Sequence, residues 1–128
     1  MKILFILLFF IQSSFVIASE EVWKMGDKFI PFLRDDKNKT LVSKDCEDGK
    51  CQAVLVLKKV SLKKITADKL AGGKNPGAVV CHEVDDGKVI YLKDLQGNEN
   101  TFCFYKDKSM VSASTLYIQA QKNDGDRK

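Results

Sequence analysis

Hydrophobic and polar positions change rhythm along this chain, and each change predicts an element. Lys2 precedes an apolar run over residues 3–11, which Gln12, Ser13 and Ser14 interrupt. Val16-Ile17-Ala18 then supplies small residues at the spacing of a cleavage site. That order reads as a secretory signal peptide over 1–18, and its apolar run is too short to span a membrane. Residues 20–40 carry Val22, Trp23, Met25, Phe29, Ile30, Phe32 and Leu33, enough apolar weight to pack. Pro31 breaks that run, and 34–39 reads as a charged loop. A short strand fits 41–44. Ala53, Val56, Leu57 and Val60 stand at i, i+3, i+4 and i+7, the spacing of an amphipathic helix over 52–60. The acids before it and Lys58-Lys59 at its end suit the helix dipole. The apolar run 53–57 equally suits a buried strand.

Residues 66–71 read as a short helix opened by Thr66 and ended by Gly72-Gly73. Asn75-Pro76 is a stronger helix entry. The Asn oxygen can accept an orphan N–H, and proline lacks a donor where none is needed. Val80 and Val84 then share one face, and Gly87 marks the stop by reaching the left-handed conformation cheaply. A strand over 78–84 is the competing reading, because valine is β-branched.

Past Gly87 the period becomes two. Val89, Tyr91 and Lys93 alternate with Ile90 and Leu92, both faces partly apolar, so the strand is covered on both sides at least in part. Gln96-Gly97-Asn98 turns the chain. The return strand, 100–106, sets Phe102 and Phe104 against Cys103 and Tyr105 on the opposite face, and completes an antiparallel hairpin. Lys106 to Ser109 is a second turn. Leu116 and Ile118 close the core from a segment that is either helix or strand, and 122–128 reads as a disordered polar tail. The expected fold is a single small α+β domain over 19–121, with one or two helices packed on a hairpin-based antiparallel sheet.

The residues from 75 to 117 resemble the small secreted bacterial domains that carry a haemolysin label, a family of unknown function. The resemblance rests on Asn75-Pro76, Cys81, Gly87, Cys103, Asp107, Ser109 and Leu116-Tyr117. Departures are Val80 for the family's tyrosine, and Asp107-Lys108-Ser109 for its Asp-Gly-Ser. Val111 and Ser114 stand where it often adds a cysteine and a tryptophan. The family brings no established catalytic residues, and none are assigned here. Its label implies a membrane-active protein, but no long amphipathic segment suits pore formation.

Four cysteines in an exported chain read first as two disulfides. Of three pairings, Cys46 with Cys51 and Cys81 with Cys103 is favoured: the first closes a turn, and the second ties helix to returning strand. A zinc site on the four lacks the usual C-x2-C clamp. A thiol–disulfide exchanger would normally use C-x-x-C, narrower than the spacing from Cys46 to Cys51. His82, the single histidine, would point away from the Val80 face, and Asp35-Asp36 and Asp85-Asp86 look like solvated turns. Asn38-Lys39-Thr40 matches a glycosylation acceptor, a short triplet common by chance. No phosphate loop, dinucleotide fingerprint or calcium loop is present, and no metal or cofactor is expected.

Without Lys2 the chain carries 20 basic residues against 17 acidic, a mild net charge near +3 and no nucleic-acid stripe. Charge is nevertheless local. Lys58, Lys59, Lys63, Lys64, Lys69 and Lys74 face only Asp68 within 58–74. Val60, Leu62, Ile65 and Leu70 can pack inward while the lysines stay wet. The expectation is an exported, non-enzymatic binding or envelope-associated module. It would be periplasmic or extracellular, with these lysines meeting an anionic envelope or membrane surface.

Overall fold

The computed structural model describes residues 18–126. The expected signal peptide lies outside the described residues, save its last position, Ala18. Strands β1 (Ser19–Met25), β2 (Lys28–Asp35) and β3 (Thr40–Ser43) form one antiparallel meander. Strands β4 (Lys88–Lys93), β5 (Glu99–Phe104) and β6 (Met110–Ser112) form another. The two meet edge to edge at both sides, β3 against β6 and β1 against β4, and close a six-stranded antiparallel barrel. Helices α1 (Gln52–Leu57), α2 (Ala67–Leu70) and α3 (Pro76–Glu83) connect the meanders, and α4 (Ala113–Asp126) follows the second.

This corrects the expected α+β sheet. The hairpin over 88–104 is present with the predicted facing, but it is half of a barrel whose other half comes from 19–43. Glycine supplies the missing turn: Gly26, at φ 58°, is the first residue of a two-residue loop between Met25 and Lys28. Pro31 does not break β2. The ladder to β3 begins at Phe32, one residue beyond it, so the strand carries the proline outside that ladder.

Each strand sends one buried side chain into the barrel: Trp23, Phe32, Leu41, Leu92, Phe102 and Met110. The Phe102 ring meets Trp23 edge-on at 4.9 Å and Phe32 at 5.0 Å. The interior is therefore a packed core, as small barrels require. A second core lies outside one wall, where Val42, Cys103, Tyr105 and Val111 meet Val56, Val60, Val80, Leu116 and Ala120 from the helical side. Burial on both faces explains why Leu41-Val42, Phe102-Cys103 and Met110-Val111 read as continuous apolar pairs.

Side chains complete the barrel where the backbone ladder is thin. β3 and β6 share one pair, Val42 with Val111. Beside it the Leu41 N–H donates to Thr115 Oγ1 at 2.9 Å, and the Met110 N–H donates to Ser43 Oγ at 2.9 Å. Both hydroxyl residues are buried, so they satisfy donors that water cannot reach. Ser112 in turn accepts the Thr115 N–H at 3.1 Å and opens α4 directly from β6. That helix runs on to Asp126, so 122–126, expected as part of a disordered tail, is helical.

The disulfides join Cys46 to Cys51 and Cys81 to Cys103. Two disulfides place the chain in an oxidising compartment. Gly87 has a different role from the one expected. Helix α3 ends at Glu83, and the left-handed residues behind it are Asp85 and Asp86 (φ 53° and 54°). A Cβ on Gly87 would collide with Cys103 Sγ, the Cys81 carbonyl oxygen and Cys81 Sγ, so glycine is there for close approach to the disulfide.

Candidate functional site

The outer face of α3 and the lysine-rich segment before it form the candidate site. Asn75 Oδ1 accepts the N–H groups of Gly77 at 2.9 Å and Ala78 at 3.3 Å, the cap expected from the sequence. Gly77 lies against the backbone of Ala113, so α3 sits close on the start of α4. With Gly77, Val80 and Cys81 buried and Cys81 bonded to β5, helical spacing turns Ala78, Val79, His82 and Glu83 outward. They face Tyr91 and Thr101, a cross-strand pair on β4 and β5. The result is a cleft of about 520 Å³, with Lys69, Lys74 and Asn75 at its edge. Tyr91 is 63 % exposed there.

A second cleft of about 290 Å³ shares Glu83 with the first, and Lys59, Lys64, Ser61 and Asp85 line it. Four of the six predicted lysines thus surround two adjoining depressions, while Lys58 and Lys63 line neither. The positive charge is partly offset. Lys69 pairs with Glu83 at 2.7 Å, and Lys59 pairs with Asp85 at 2.7 Å. Exposed pairs of this kind contribute little to stability, about 0–1 kcal/mol, but they orient the chains. Lys64 and Lys74 make no ion pair among the described residues.

The segment is held by α4. Asn123 Nδ2 donates to the carbonyls of Leu57 and Val60, both at 2.9 Å, and meets the bare end of α1. The Asp124 carboxylate accepts the Ser61 hydroxyl and the Leu62 N–H. The start of α1 is equally satisfied. Asp107 accepts the Gln52 N–H at 2.7 Å, Ser109 the Ala53 N–H at 2.9 Å, and Cys51 Sγ the Val54 N–H at 3.3 Å. Burial alone would raise the Asp107 pKa, but the bonds from Gln52 and Ser109 outweigh it and hold the carboxyl below its usual value. Lys108 between them has φ 69°, a conformation glycine adopts more readily. Thr66 precedes α2 without capping its backbone; its side chain bonds Asp68 instead and lowers that carboxyl's pKa.

A larger depression, about 650 Å³, opens where β1 and β4 part after their single pair, Lys24 with Lys93. Three of its polar groups are bound to one another. Arg34 holds Glu21 at 2.6 and 2.8 Å, and Trp23 Nε1 donates to Glu21 at 2.8 Å. The Arg34 bond is the main reason the Glu21 pKa is lowered. All four cysteines are buried, which leaves an attacking thiol no exposed sulfur. Among the described residues no three His, Cys, Asp or Glu side chains come together as metal ligands. No described helix is long and apolar enough to cross a membrane.

The structure gathers Lys59, Lys64, Lys69, Lys74 and His82 around two clefts that share Glu83. Sequence reasoning missed Tyr91 and Thr101 as cleft residues, since only strand register sets them beside α3. It also missed Asn123 and Asp124, whose signal was a pair of good capping residues within a presumed tail. No family model, curated protein or solved structure matches the chain.

Proposed function

We infer that this is an exported binding module that meets an anionic surface through the lysines around α3. One observation carries the reading: Lys64 and Lys74 each line one of two adjoining clefts and have no ion-pair partner among the described residues. Lys59 and Lys69 beside them are ordered by Asp85 and Glu83. An anion can therefore reach two uncompensated cations without first displacing a carboxylate. The disulfides and the apolar stretch over 1–18 favour a periplasmic or extracellular setting. Buried sulfurs weigh against thiol–disulfide exchange.

Co-sedimentation with anionic vesicles or envelope fragments tests the reading. Exposed charges are screened beyond about 8 Å at physiological ionic strength, so binding is expected at low salt and lost as salt rises. Lys64→Gln with Lys74→Gln should abolish most of it, while Lys58→Gln, outside both clefts, should not. Near a lipid surface each lysine contributes on the order of 1 kcal/mol, so the double variant should bind roughly 30-fold more weakly. Wild-type protein that ignores anionic surfaces at low salt would sink the proposal.

A further inference from the structure

The cleft between α3 and the β4–β5 pair gathers several polar side chains that have no side-chain partner among the described residues. Several polar groups outside it are engaged within the chain: Glu21 with Arg34 and Trp23, Asp35 with Asn38, Asp94 with Asn98. In this cleft the Lys74 ammonium, the His82 ring and the hydroxyls of Tyr91 and Thr101 make no side-chain hydrogen bond among the described residues. Asn75 uses its oxygen to cap α3, which leaves its amide N–H groups as donors. The cleft's carboxylate, Glu83, is already held by Lys69 at 2.7 Å. Beside these groups lies apolar surface, the exposed Tyr91 ring with Ala78 and Val79.

We propose that this cleft binds a carboxylate-bearing saccharide, a uronic-acid type unit of an anionic polymer. The inference rests on the anionic-surface reading and gives its ligand. A pyranose ring has an apolar C–H face that can lie on an aromatic ring, and hydroxyls that both donate and accept. Tyr91 supplies the platform, and Asn75, His82 and Thr101 supply mixed donors and acceptors. Lys74 supplies the cation for the carboxylate, a charge-assisted bond stronger than a neutral one. A simple inorganic anion would have no use for the Tyr91 ring. The volume, about 520 Å³, falls within the ordinary range of small-ligand sites.

Calorimetric titration of the full chain with an oligogalacturonate, beside a neutral galactose oligomer, is the test. The uronate should bind at least about tenfold more tightly than the neutral oligomer. Tyr91→Ala and Lys74→Gln should each weaken uronate binding by about tenfold or more. Tyr91→Ala should weaken co-sedimentation with anionic vesicles far less than uronate binding, since the ring carries no charge. Tyr91 is exposed, and unaltered Trp23 fluorescence would establish that the variant is folded. If the uronate binds Tyr91→Ala as it binds wild type, or fails to bind while vesicles do, the saccharide site is wrong and the anionic-surface reading survives. If neither uronate nor vesicle binds, both fall.

Discussion

Replacing Cys81 and Cys103 together by alanine should destabilise the protein more than replacing Cys46 and Cys51. The bonds close loops of sequence separation 22 and 5. Chain-entropy arithmetic gives about 3.4 kcal/mol for the longer loop and about 2 kcal/mol for the shorter. Two further terms act in opposite directions on the gap. Cys81 and Cys103 are fully buried in the outer core, so truncation also leaves a void, costing on the order of 1 kcal/mol. Cys51→Ala removes the sulfur that accepts the Val54 N–H, a cap contribution of about 0.5 kcal/mol. The expected losses are therefore about 4.4 and 2.5 kcal/mol, the larger a substantial part of a typical stability of about 5–15 kcal/mol. Urea unfolding followed by Trp23 fluorescence is the assay, because that ring is buried in the barrel and reports its loss. Equal losses, or a larger one for Cys46 and Cys51, would refute the argument that the α3–β5 tie governs stability.

Gly87→Ala should cost roughly 3 kcal/mol, since the new methyl meets a backbone carbonyl and two disulfide sulfurs that cannot rotate away; a loss under about 0.5 kcal/mol, ordinary for a surface site, would contradict the close-approach reading. Asp107→Asn should cost about 1 kcal/mol at neutral pH through the weakened cap of α1. The Asp107 pKa is lowered in the fold, so its stabilisation is complete above the unfolded value near 3.9 and disappears as pH falls through the lower folded value. Acid titration of stability should accordingly be shallower in Asp107→Asn than in wild type, and parallel curves would count against it.

The second meander was legible because its signals are local. Asn75-Pro76 capped a helix, alternation around Leu92 and Phe102 set the strand faces, and a polar turn joined them. The first meander was obscured by Pro31, a strand breaker only if its N–H is needed, and the ladder to β3 starts one residue later. Its Gly26-Asp27 turn was a usable signal. Barrel closure was not legible, because two single bridges make it and the hydroxyls of Ser43 and Thr115 finish one of them. Those hydroxyls look like surface residues until tertiary structure buries them. Lysine density at 58–74 announced a charged segment, but not its geometry. The ion pairs to Glu83 and Asp85, and the anchoring by Asn123 and Asp124, depend on contacts between distant parts of the chain.

Amide chemical-shift mapping with anionic bicelles tests most directly whether the α3 side is the contact face. Labelled protein should show salt-sensitive perturbation of residues 59–74 and 78–83, and none with neutral bicelles. Residues 19–24 and 94–100, around the depression where β1 and β4 part, should stay unchanged. Perturbation centred on that depression, or spread evenly over the barrel, would contradict the account.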